Sequence, residues 1–163
     1  MKNAKTKRGI FIFLSILFTL LTGLSIFALH YAAKEMRHEA LTYSQWYEGT
    51  IYGYYGWLLI VAALAGIALG CWAGWLLTAR PLPAPGKRGR TVLGILCAVF
   101  LLLAVFFVFR SFVSHGEIQR AAETNVECIA PYIEDYGQNR LWALLSLEAA
   151  VFSLLPVIKG KRS

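Results

Sequence analysis

Four uncharged, apolar stretches set the layout of the chain: residues 10–29, 49–79, 91–109 and 141–158, the last interrupted only by Glu148. None alternates apolar and polar residues with the period of two that a barrel strand requires. Each is long enough to cross a hydrocarbon core about 30 Å thick, which takes roughly 20 residues of helix. Backbone groups in lipid must be paired within their own segment, so the pattern predicts helices. The expected fold is an all-α integral membrane protein, a four-transmembrane-helix bundle forming one domain over residues 1–163. Its spans are placed at about 10–32, 54–79, 91–113 and 140–158. Outer loops are expected at 33–53 and 114–139, and an inner loop at 80–90.

Charge orients this layout. Lys2, Lys5, Lys7 and Arg8 precede the first span, and Arg80, Lys87, Arg88 and Arg90 lie between the second and third. Lys159, Lys161 and Arg162 end the chain. These eleven basic residues have no acid among them, whereas the other two connections carry five basic residues against eight acids. Short loops rich in Lys and Arg stay in the cytoplasm, so both termini are expected inside, in a cell (inner or plasma) membrane. The formal net charge of +7 is therefore topological. No basic domain stands apart from the spans, and nucleic acid is not an expected partner. The first run exceeds the roughly 7–15 apolar residues of a signal peptide and is followed by no clean small-x-small site, so it is read as a retained span.

The connections are short. Three prolines among residues 81–85 make the inner loop a stiff connector. In the second outer loop, Ile118, Ala121, Ala122 and Val126 recur at helical spacing and predict a short helix over 116–127, with Pro131 ending any continuation. Too few apolar residues are present there for an independent core, so this piece must lean on the bundle or on a partner. Trp46, Tyr47, Tyr52, Tyr54, Tyr55 and Trp57 gather at the outer mouth of the second span, with Trp142 and Trp75 at other edges. This is the placement of an aromatic belt.

Small residues predict where helices meet. Ala62, Gly66, Gly70 and Gly74 form a groove at steps of four on the second span, and close backbone approach through such grooves drives pairing in lipid. Ala143, Ser146, Ala150 and Ser153 make a milder stripe on the fourth, and Ser15, Thr19 and Thr22 lie along the first. Residues 99–109 read as bulky all round, without a small face, which suits lipid exposure or filling the gap beside a Gly-rich neighbour.

Candidate chemistry is sparse. Glu148 falls near the middle of the fourth run, where a bare carboxylate costs about 2.5–3.5 kcal/mol on insertion scales. It must be protonated, paired, or turned toward water or protein. Thr19, Thr22, a partner subunit or a basic residue of another membrane protein are the expected partners, with a proton- or cation-coupled site as the functional alternative. His30, Glu35, His38 and His115 all fall on the outer side and hold suitable metal-ligand atoms, but in no recognised spacing. Cys71 and Cys97 lie at similar depths and Cys128 is alone in the outer loop, so no disulfide relay is read. No phosphate-binding Gly loop, nucleophile elbow or paired intramembrane carboxylate is found, and no cofactor is expected. The sequence reading is a non-enzymatic assembly, accessory or scaffolding subunit, partnered by the bilayer and by another membrane protein or itself. Its alternatives are a small transporter or permeation unit using Glu148, and a membrane enzyme with an outer-face His/Glu site.

Overall fold

The computed structural model describes residues 2–41, 47–79, 85–124 and 129–159. They form four helices: α1 (Lys2–Leu41), α2 (Tyr47–Ala79), α3 (Lys87–Glu123) and α4 (Ala130–Lys159). No strand occurs among the described residues. Three helices are long and apolar enough to cross a membrane, over Gly9–Glu39, Glu48–Leu77 and Lys87–Glu123, consistent with an integral membrane protein. The fourth is not among them. Glu134, Asp135 and Arg140 occupy its first half, Glu148 its middle, and Pro156 sits inside its last turns.

The helices outrun the expected spans. α1 has 40 residues and α3 has 37, so each is about 55–60 Å long, nearly twice the thickness of a hydrocarbon core. Much of what was read as outer loop at 33–53 and 114–139 is helix: α1 continues to Leu41, α2 begins at Tyr47, and α4 begins at Ala130. The short helix expected over 116–127 is the end of α3, which runs unbroken to Glu123, while residues 125–128 lie outside the described residues. No helix continues from α3 into Pro131, which lies in the first turn of α4. Its missing N–H is harmless in a first turn, where that donor has no partner in any case.

α1 packs on α2, α2 on α4 and α4 on α3; among the described residues the remaining pairs show no close backbone approach. The order in space is therefore α1, α2, α4, α3, a row and not a closed ring. The three contacts fix directions. Phe11 meets Gly74, and Trp72 Nε1 donates to Thr19 Oγ1 at 3.2 Å, so α1 and α2 are antiparallel. Phe107 stacks on Trp142 while Ser114 bonds Asp135, so α3 and α4 are antiparallel as well. Tyr55 touches Gly137 and Gly66 touches Glu148, which makes α2 and α4 parallel.

Seven-residue repeats carry the two antiparallel contacts. On α1, Phe11, Ser15, Phe18, Thr22, Ser25, Leu29, Ala32, Met36 and Glu39 follow alternating steps of four and three, and each is wholly or partly buried. On α3, Cys97, Phe100, Ala104, Phe107, Ser111, Ser114, Ile118 and Ala121 do the same. Such a stripe keeps facing one neighbour when helices cross at a small angle. Residues 99–109 are bulky apart from Ala104, and Cys97 and Ser111, seven residues to either side of it, extend a small face that a search for steps of four passes over. Phe100 and Phe107 share that stripe, while other bulky residues lie on the opposite side, where Leu102 and Phe112 are among the most exposed side chains.

A compact apolar core sits at the end of the bundle opposite both termini. Ile51, Ile118, Ala130 and Ile133 are buried together, with Met36, Tyr55, Ile129 and Tyr136 packed around them. All four helices contribute, so the row that is open through its length is joined here. Glu48 adds a polar tie, accepting from the Ile129 backbone N–H at 3.1 Å.

Candidate functional site

The second helix must serve two neighbours, and its small residues divide between them. A step of four residues advances about 40° beyond a full turn, so the groove of Ala62, Gly66, Gly70 and Gly74 winds around α2. Gly66 faces α4, where an added methyl group would overlap the Glu148 carboxylate and lie 2.7 Å from its Oε2. Gly74 faces α1, where the same methyl would come within 2.9 Å of the Phe11 ring. Gly70, between them, has open space before it.

That open space is a crevice of about 300 Å³ lined by Gly66, Ile67, Gly70, Leu147, Glu148, Val151, Phe152 and Leu155. Its walls are apolar apart from one carboxylate. Glu148 is half-buried there and makes no hydrogen bond or ion pair with any described residue. The expected partners Thr19 and Thr22 do not reach it, because α1 and α4 make no close backbone approach. Their hydroxyls donate instead to their own helix, Thr19 to the Ser15 carbonyl and Thr22 to the Phe18 carbonyl, each at 2.7 Å. Back-bonding of this kind satisfies a hydroxyl without a neighbouring helix.

Toward the end opposite the termini, α3 and α4 are joined by a polar cluster that the sequence reading missed. Ser114, fully buried, donates to Asp135 Oδ2 at 2.5 Å. Asn139 Nδ2 donates to the same oxygen at 3.1 Å and to Ser114 Oγ at 3.2 Å. Arg110 approaches Asp135 at 3.6 Å from the solvent side. The available signal was the i, i+4 spacing of Asp135 and Asn139, one face of a helix, together with a serine and an arginine four apart on the preceding helix.

The residues expected to be able to hold a metal do not assemble. His30, Glu35 and His38 lie on α1 and His115 on α3, at opposite ends of the row, and among the described residues no three metal-ligating side chains come together. Glu35 instead borders a pocket between α1 and α2 with Ala32, Glu39 and Thr50. His115 packs against Tyr136, ring centroids 5.5 Å apart. Cys71 on α2 and Cys97 on α3 are free thiols on helices whose backbones make no close approach, so similar depth does not make them neighbours. Cys128 and Trp46 lie outside the described residues. No family model, curated protein or solved structure matches this chain.

Proposed function

We propose that this chain is a four-span membrane protein, with both termini on the cytoplasmic face of a cell membrane, acting as a non-enzymatic assembly subunit. Its Glu148 crevice receives a helix of a partner membrane protein through a basic or hydrogen-bonding side chain. One observation carries the reading: Glu148 faces an apolar crevice beside Gly66 and Gly70 and finds no partner among the described residues of its own chain. A carboxylate at that depth is costly alone and is stabilised by a donor from outside. Gly70 leaves room for the close backbone approach that holds helices together in lipid. The parallel run of α2 and α4 supports the fourth crossing, since α4 lies beside a helix that is itself long and apolar enough to span.

The test is site-specific photo-crosslinking in native membranes. A crosslinker at Ile67, on the lip of the crevice, should capture a second polypeptide, whereas one at Leu102 on the far face of α3 should not. Glu148→Leu should abolish the Ile67 adduct with the fold intact. A protein that is monomeric and adduct-free at Ile67 would sink the proposal. The same carboxylate suits proton or cation coupling, and the two readings separate in proteoliposomes. Flux lost in Glu148→Gln, with no partner captured, would replace assembly by transport.

A further inference from the structure

A second cavity, of about 540 Å³, opens where the outer end of the apolar zone meets the polar zone, between α2, α3 and α4. It is graded by polarity. Leu59, Val108, Phe112, Ala143 and Leu144 line it on one side, and Ser111, His115, Tyr136 and Arg140 on the other. The charge within it is uncommitted. Asp135, the acid nearest to Arg140 in sequence, is taken by Arg110, Ser114 and Asn139. Arg140 pairs with no acid among the described residues and rests its guanidinium on the Tyr136 ring, 5.3 Å from the centroid. That stacking holds the fork in place while leaving its N–H groups free to donate. His115 packs on the same ring.

From this we infer that the cavity is a binding site for an acidic glycerophospholipid of the outer leaflet. Its phosphate is held by Arg140, with Ser111 and His115 as further hydrogen-bonding groups, and the start of an acyl chain lies along Leu59, Val108, Phe112 and Leu144. An arginine fork matches phosphate geometry, and the adjoining apolar wall requires that the anion carry a hydrocarbon tail. The site is separate from the Glu148 crevice; the two share no lining residue.

Native mass spectrometry of the full chain in detergent, titrated with phosphatidylglycerol or phosphatidylcholine, reads the proposal directly. Phosphatidylglycerol adducts should form at lower lipid concentration than phosphatidylcholine adducts. Arg140→Ala should weaken phosphatidylglycerol binding by about tenfold, the loss expected for a charge-assisted hydrogen bond. Ala143→Trp, which fills the apolar side and keeps the arginine, should weaken it as much. Arg120→Ala, on α3 beyond the cavity, should change nothing. Helix content by circular dichroism confirms that each variant is folded. Equal binding of the two lipids, or unchanged binding in both cavity variants, would overturn the site. Loss in Arg140→Ala with none in Ala143→Trp would mean surface adsorption of the headgroup, which also overturns it. Displacement by glycerol 3-phosphate at the concentration of the lipid would make the ligand a soluble phosphate and refute the lipid.

Discussion

The Tyr55 ring on α2 lies against the backbone of Gly137 on α4, so closely that a methyl group there would overlap the ring and sit 2.7 Å from both Cδ atoms. Eleven residues further along both helices, Gly66 meets Glu148 in the same relation with the roles exchanged. In one contact the glycine is on α4, and in the other it is on α2. Eleven residues complete close to three helical turns, so both contacts fall on one line between the parallel helices. Each helix thus yields space once, and the two lock in register.

Gly137→Ala should therefore destabilise the fold, because Tyr55 is held at its far end by Gln138 Nε2, 3.3 Å from its hydroxyl. Overpacking of this kind costs about 1–3 kcal/mol. The expected result is a lowered unfolding midpoint in detergent, and a smaller loss when Tyr55→Leu is added. Additive losses in the double variant would mean the two residues do not collide.

Much of this was legible in the sequence, for reasons that divide by residue. Apolar length predicted α1, α2 and α3, because lipid selects for it directly. The glycines of α2 announced close contact, but not that Gly66, Gly70 and Gly74 face three different surroundings. That follows from the winding of the groove and the placement of α1 and α4. The helical continuation of α1 to Leu41 and the start of α4 at Ala130 did not stand out, because polar residues in those segments look like connection. Glu148 stood out by its charge in an apolar run. Asp135 and Asn139 did not, because a polar residue in a polar segment carries no contrast.

The outer cluster yields a contrast between two nearby groups. Ser114 is fully buried and bridges Asp135 and Asn139, so Ser114→Ala should cost about 1–3 kcal/mol through unmade buried hydrogen bonds. Arg110 and Asp135 are nearly half exposed, so Arg110→Ala should cost about 0–1 kcal/mol and lose even that in high salt. Chemical unfolding of both variants checks the order. A larger loss for Arg110→Ala would place the strength of the cluster in the ion pair.

The α2 glycines separate folding from association. Gly74→Leu must push Phe11 aside and should loosen α1 from α2, seen as a lowered unfolding midpoint. Gly70→Leu meets open space within the chain and should leave that midpoint unchanged while abolishing the crosslink from Ile67. Were Gly70→Leu destabilising and the crosslink retained, the crevice would be internal packing space and not a docking surface.

The fourth crossing gives the most decisive prediction. α4 alone lacks the unbroken apolar length of its neighbours, yet it lies in register beside α2 and buries Ser146 and Ala150. Its charged residues are placed as a span would need them. Glu134, Asp135 and Arg140 are confined to one end, where Arg110 and the polar cluster also lie, and Lys159 closes the other. Only Glu148 falls between, and it faces the crevice beside α2. In a variant with Cys71, Cys97 and Cys128 replaced, a cysteine at Gln138 should react with a membrane-impermeant maleimide applied to intact cells. A cysteine at Lys159 should react only after the membrane is opened. Labelling of both from the outside would place α4 along the surface, and would remove the depth at which Glu148 needs a partner.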